Sequence, residues 1–179
     1  ETVHLSTNVN PASLTSGVTP KVASGLTAAA FRADLATQLA IYTTANDSIA
    51  DIILALPESL AISMSLMRNA LGQKEWPDLT FTGGSIEGIP VIISNNGSSA
   101  EIDFIKGGDI LVADGGVEID MSQEASLVFT TTPASSPAAT ELVSLFQRNL
   151  VGIRVEKLIT WKKGRSHSVQ RITSAAYSS

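Results

Sequence analysis

Between Val151 and Trp161 apolar and polar residues alternate almost without a break, and few folds accommodate that. Val151, Ile153, Val155, Ile159 and Trp161 fall on one face of a strand, with Arg154, Glu156 and Thr160 on the other. Lys157 interrupts the apolar set and Leu158 the polar one, which predicts a bulge or a change of partner there. Extended from Asn149 to Lys162, the segment reaches about 45 Å at roughly 3.3 Å per residue. A compact domain of 179 residues does not need so long a strand. An arm with one apolar and one charged face suits contact with other copies.

The arm also gathers the positive charge. Residues 1 to 147 hold five basic and sixteen acidic side chains, a balance of −11. Residues 148 to 171 hold seven basic residues and only Glu156, a balance of +6. Two readings follow with equal weight from charge alone: contact between copies, or an arm folded over its own acidic body.

Hydrophobic residues make up 44% and charged residues 16%, which is globular composition. There is no cysteine, which excludes disulfides, thiol catalysis and cysteine zinc sites. No apolar run approaches the roughly 18 residues of a membrane span. The first residues, "ETVHLSTNVN", have neither the basic start nor the apolar stretch of a signal peptide. The chain begins at Glu1 rather than Met, so a processed product or a longer parent is expected.

Residues 1–24 read as an extended connector rich in Asn, Ser, Thr, Pro and Gly. Ser24 or Thr27 can then cap a helix whose apolar face is Ala28, Phe31, Leu35, Leu39 and Tyr42. "IADIILALP" predicts a buried strand, and Pro57–Glu58 the start of a second helix. Its buried stripe is expected to be Leu60, Met64, Met67 and Leu71, with Gly72 closing its C-terminus. A methionine stripe can mark an adaptable binding face, but core filling is the stronger reading. In "SIEGIPVIIS", Pro90 predicts an edge strand or a bulge. The stretch from Glu101 to Phe129 reads as short strands broken by "KGGD" and "ADGG" turns. "TTPASSPAAT" is a loop, "KKGRSHS" a turn and "VQRIT" a final strand. Helix, strand, helix, then strands gives an α+β fold class.

Catalytic chemistry finds no placed constellation. The two histidines, His4 and His167, lie in the connector and a turn, and no Gly-x-Ser-x-Gly elbow is present. The acidic stretches lack the spacing of a calcium loop, and the glycine pairs lack a phosphate loop's following Lys-Ser/Thr. Asn-x-Ser occurs at Asn46 and Asn96, a pattern common by chance. No catalytic residue, cofactor, metal, membrane or small-molecule substrate is expected.

The closing stretch "LFQRNLVGIRVEKLITWKKGRSHSVQRIT" closely resembles the C-terminal signature of the major capsid proteins of tailed bacteriophages and prophages, those with the Hong Kong phage capsid fold. "VNPASLTSGVTP" followed by "SGLTAAAFRADLA" resembles the entry to that family's axial domain. "IILALPESLAIS" and "IEGIPVIIS" resemble its core strand–helix pair and the strand after it. The matches run in the family's order across nearly the whole chain.

The resemblance implies an extended connector at 1–24 and an axial domain, a sheet flanked by helices, at 25–147. It implies a long peripheral-domain strand and turn at 148–165 and a returning strand and tail at 166–179. It further implies a structural subunit that is not an enzyme. Such a subunit self-assembles in the bacterial host cytoplasm into the icosahedral virion shell, meeting packaged DNA only by non-specific proximity. Arg148, Asn149, Arg154, Lys162, Lys163 and Arg165 are the implied contacts between subunits. Some family members join a hairpin-loop Lys to an Asn just before the long strand, and Asn149 holds that position. An N-terminal arm, the hairpin and a spine helix are expected upstream in a complete subunit. An encapsulin-like bacterial compartment shell is the alternative in the same fold. A hydrolase is disfavoured by the missing nucleophile–histidine pair, and a nucleic-acid-binding module by the net charge of −5.

Overall fold

The computed structural model describes residues 11–128 and 142–178. The chain divides into two compact units. One comprises the residues up to Val112 together with those from Trp161 onward, and the other is Ala113–Thr160. The division expected at residue 147 thus falls inside the second unit.

The first unit is built on a seven-stranded sheet in the order β1-β11-β6-β2-β5-β4-β3. Its strands are β1 (Lys21–Val22), β2 (Ile52–Leu56), β3 (Leu79–Thr80), β4 (Gly83–Ile86), β5 (Ile89–Ile93), β6 (Ile102–Lys106) and β11 (Val169–Thr173). β1 runs parallel to β11 and β2 parallel to β5, while the remaining pairs are antiparallel. Helix α1 (Ala28–Thr44) lies between β1 and β2, and helix α2 (Glu58–Leu66) between β2 and β5. Both crossovers advance the same way along the sheet. Right-handed connection therefore puts both helices on one face. One core results, in which Phe31, Leu35 and Tyr42 of α1 and Leu60 and Met64 of α2 pack on Leu54, Leu56, Phe104 and Ile172.

Thr27 is the helix cap: its Oγ1 accepts the Ala30 N–H at 3.2 Å, worth about 1 kcal/mol. Leu39 and Ala28 are only partly buried, and Asp34 and Gln38 go inward beside the expected stripe. Asp34 accepts from the Ser24 N–H at 2.8 Å and the Tyr177 hydroxyl at 2.7 Å, and pairs with Lys21 at 3.1 Å. Burial pushes its carboxyl pKa upward, but these donors outweigh it and leave the value lowered. One carboxylate on α1 thereby holds the segment before the helix and the C-terminal tail. Residues 11–24 are accordingly more than a connector, since β1 joins the sheet.

Four local expectations are corrected. Helix α2 stops at Leu66, short of Gly72. Asn69 Oδ1 accepts the N–H groups of Leu71 and Gln73, each at 3.0 Å, and so competes for the chain against helix. Met67 remains buried at the helix end, whereas Leu71 is 83% exposed.

Pro90 lies on an interior strand. It stands opposite Ser85 in a hairpin closed by Glu87 and Gly88 at φ 49° and 80°. Pairing of β5 with β2 runs from Val91 onward, so the N–H that Pro90 lacks would have no ladder partner.

Next, "KGGD" forms a short 3₁₀ turn at Gly107–Asp109, but "ADGG" breaks nothing. Strand β7 runs unbroken from Ile110 to Ser122 with Gly116 at φ 82°, a conformation glycine adopts without strain inside a bulged strand. Finally, β8 (Ser126–Val128) and β9 (Leu142–Ser144) pair in the second unit on either side of the expected loop "TTPASSPAAT". That loop lies outside the described residues.

Replacing Leu60, 4% exposed in the core, with Ala should cost about 2–5 kcal/mol in urea unfolding. A variant as stable as the parent chain would contradict the packing of α2.

Candidate assembly interface

The long strand of the sequence is β10 (Gly152–Lys163), paired with β7 as a two-stranded ribbon. Alternation sets Val117, Ile119, Met121, Ile153 and Val155 against Glu118, Asp120, Arg154 and Glu156 on opposite faces. The apolar set is exposed throughout, from 59% at Val117 to 75% at Met121. Lys157, which interrupts the apolar alternation, pairs with Asp114 at 2.8 Å. Leu158 lies against Gly115, where an added Cβ would come within 3.2 Å of the Leu158 Cβ. Residues 157 and 158, where irregularity is expected, thus face Asp114 and Gly115 of β7, and Gly116 beside them has φ 82°.

The six basic and amide positions singled out by the sequence are spread over different settings. Arg148 and Asn149 are exposed in a helical turn before β10. That turn is closed by Arg148 N–H to Ser144 O at 3.3 Å and Leu150 N–H to Leu145 O at 2.9 Å. Asn149 ends it at φ 53°, a left-handed conformation that Asn tolerates better than most residues. Arg154 is exposed and pairs along its own strand with Glu156. Lys162 is exposed, and its side chain has no hydrogen bond or ion pair to another described residue. Lys163 donates to the Ser16 carbonyl at 2.7 Å. Arg165 reaches Asp47 at 2.7 Å and stands 4.0 Å from Asp109.

Asp47 is the centre of a charge cluster that sequence reading missed. It follows the C-terminus of α1 and accepts from Lys106 at 2.6 Å, from Arg165 at 2.7 Å and from His167 Nε2 at 3.0 Å. The Tyr42 ring stands edge-on to His167 at 5.9 Å. Burial, with Asp109 and Asp47 nearby, pushes the Tyr42 hydroxyl up to about 12. Asp47, Asp109 and His167 place three potential ligand atoms within 4.8 Å of one another. Lys106 and Arg165 already balance the two carboxylate charges, so the group is an ion-pair network. Lys106 is 59 residues from Asp47 and His167 120 residues, so no local pattern announces the cluster. The only signal was indirect: a basic turn, "KKGRSHS", in an acidic chain.

Lys106 first, then Arg165 and His167, hold the Asp47 carboxyl well below the usual carboxylate range. A depressed folded value means that the stabilisation is fully present above the unfolded pKa, about 3.9, and is lost as pH falls through the folded one. Asp47→Asn should therefore lower stability at neutral pH and flatten its decline below about pH 4. Urea unfolding at both pH values measures this, and equal acid sensitivity in the two proteins would remove Asp47 from the account.

Comparison with known proteins follows this geometry. No family model matches the sequence. Among solved structures, the chain superposes on the capsid of an empty GTA particle with a TM-score of 0.54 at 16% identity, over 94% of this chain and 55% of that one. It matches a chain from Gordonia phage Cozz at 0.55 and 14% identity, covering 92% and 54%, and one from Mycobacterium phage Ogopogo at 0.53 and 13%, covering 93% and 62%. The fold is thus that of phage capsid subunits. In sequence, the chain is 39% identical over 171 residues to the capsid polyprotein of Pseudomonas phage PAJU2, 92% of this chain and 26% of that protein. The chain therefore spans about a quarter of that curated relative and roughly half to three fifths of the solved chains.

Proposed function

We propose that the chain is part of a major capsid (head) subunit that self-assembles into the icosahedral shell enclosing phage DNA. The observation that carries this is the 39% identity to a phage capsid polyprotein over 92% of the chain. The shared fold of phage capsid subunits supports it. In this reading the seven-stranded unit is the axial domain and the unit at 113–160 is peripheral, with β7 leading out and β10 leading back. The partners are other copies of the subunit, the role is structural with no catalysis, and the place of action is the virion capsid after assembly in the host cytoplasm. Packaged DNA is met only by non-specific proximity, and neither a membrane nor a small-molecule substrate is involved.

Arg148, Asn149, Arg154 and Lys162 are the proposed contacts best supported by exposure. Lys163 and Arg165 also bind their own unit, so changing them would disturb folding as well as assembly. Exposed ion pairs contribute only about 0–1 kcal/mol each, and a closed shell repeats each contact at every copy.

Expression of the complete protein and electron microscopy test the reading: closed shells are expected, and their absence under assembly conditions would count against it. Particles carrying protein cargo instead of DNA would favour the encapsulin-like alternative. Arg154→Glu in the complete protein should leave the subunit folded yet reduce shell yield, most strongly at low salt, where screening is weakest. Normal yield across low and moderate salt would show that this arm is not an assembly surface.

A further inference from the structure

The bend between β5 and β6 carries the sequence Asn95-Asn96-Gly97-Ser98, and both Asn96 and Gly97 are exposed. The Asn96 side chain makes no hydrogen bond to another described residue; only its backbone N–H is engaged, by Ser94 Oγ at 3.3 Å. The Gly97 N–H has no partner among the described residues, and a Cβ added at Gly97 would meet nothing within 4 Å. A free side-chain amide thus precedes an unhindered, unpaired backbone nitrogen.

We propose that Asn96 is a site of spontaneous covalent self-modification, in which the Gly97 backbone nitrogen closes on the Asn96 side chain and converts it to aspartate or isoaspartate. Base removes the Gly97 amide proton, and the nitrogen attacks Asn96 Cγ. The new N–C bond completes a five-membered succinimide as the Cγ–Nδ2 bond breaks and ammonia leaves. Water then adds to one of the two ring carbonyls and breaks one ring C–N bond. Opening on one side gives aspartate; opening on the other gives isoaspartate, with the main chain longer by one carbon. Nothing is oxidised or reduced, and water is the only co-reactant. Asparagine is among the thermally labile residues, and a following glycine removes the side chain that would block attack.

Two other asparagines are held by their side chains. Asn69 donates to Gln73 Oε1, and Asn95 is hydrogen-bonded to Glu58. Asn46, Asn69, Asn95 and Asn149 are each followed by a residue with a side chain. Asp114 also precedes a glycine, but its carboxylate is bound by Lys157 at 2.8 Å and by the Gly116 N–H at 3.0 Å, and Gly115 is in a strand against Leu158.

The product has a defined neighbourhood. Asn96 lines an open cavity of about 510 Å³ together with Glu101, Asp103 and Arg171. Arg171 already pairs with Asp103 at 2.6 Å and with Glu101 at 2.9 Å. A carboxylate at residue 96 adds uncompensated negative charge there, and an isoaspartate lengthens the link between two sheet strands. In an assembly of many copies, the modified fraction would rise with age.

The purified chain is incubated at neutral and mildly alkaline pH, digested, and read by peptide mass spectrometry, with isoaspartate methyltransferase labelling as the second readout. The exchange of side-chain NH₂ for OH should appear at Asn96 ahead of Asn46, Asn69, Asn95 and Asn149, faster at the higher pH. Methyltransferase labelling should follow it. The rate in the folded chain should approach that in urea, because neither the Asn96 side chain nor the Gly97 N–H has a partner among the described residues, and Gly97→Ala should slow it many-fold. Modification led by another of these asparagines, a folded chain that protects Asn96 many-fold relative to urea, or an unchanged rate in Gly97→Ala would overturn the proposal.

Discussion

Two right-handed crossovers that travel the same way along one sheet can cover only one of its faces, and much of the first unit follows from that. Ile52, Leu54 and Leu56 of β2 point to the helices and are buried, while Ile53 and Ala55 on the same strand are only half-buried. Strand β6 repeats the division, with Ile102 and Phe104 inward and Asp103 and Ile105 on the other side. The open face is not simply apolar: Arg171 lies between Asp103 and Glu101 there and uses its planar guanidinium on both. The covered face carries the hydrophobic driving force, and cross-strand charge occupies part of the other.

Two carboxylates, Asp34 buried and Asp47 largely so, organise what the hydrophobic layer does not. Asp34 joins the segment just before α1 and the C-terminal tail to that helix. Asp47 joins the end of α1 to the last residue of β6 and to the turn after β10. In each case a charge that would be costly to bury alone is matched by donors from distant segments. Lys157, Lys163 and Arg165, three of the basic residues on the arm, are engaged by their own unit. Arg154 pairs with its strand neighbour, and Lys162 stays exposed without an ion pair to a described residue. For Lys157, Lys163 and Arg165 the reading of an arm paired within its own chain holds.

The parts of this structure that were legible in sequence are those governed by local period or by a single special residue. The apolar face of α1, the buried strand at Ile52–Leu56 and the alternation of β10 all came from spacing. What escaped depended on competition or partners. Leu71 fits the stripe of α2, but Asn69 captures the chain one turn too soon. Pro90 argues for an edge only if both sides of its strand are paired at that residue, and the register of β2 starts one residue later. The two glycines of "ADGG" signal a turn in isolation, yet Gly115 allows a close approach to Leu158 and Gly116 takes a positive φ, both within a continuous strand. The Asp47 cluster has no local signature, because Lys106 and His167 lie 59 and 120 residues from Asp47.

Where the excursion from the sheet begins and ends bears on how such a chain can change. The Gly164 N–H donates to the Asp109 carbonyl at 2.8 Å, and an added Cβ at Gly164 would stand 3.0 Å from that same oxygen. The chain thus departs after Asp109 and is back beside it at Gly164, so the sheet receives two neighbouring ends however many residues lie beyond them. Insertions are best tolerated where entry and exit are adjacent. The stretch from 113 to 160 is in effect a cassette. A change of length within it would leave the register of the seven-stranded sheet as it is, and a side chain at Gly164 would crowd the Asp109 carbonyl where the two ends meet.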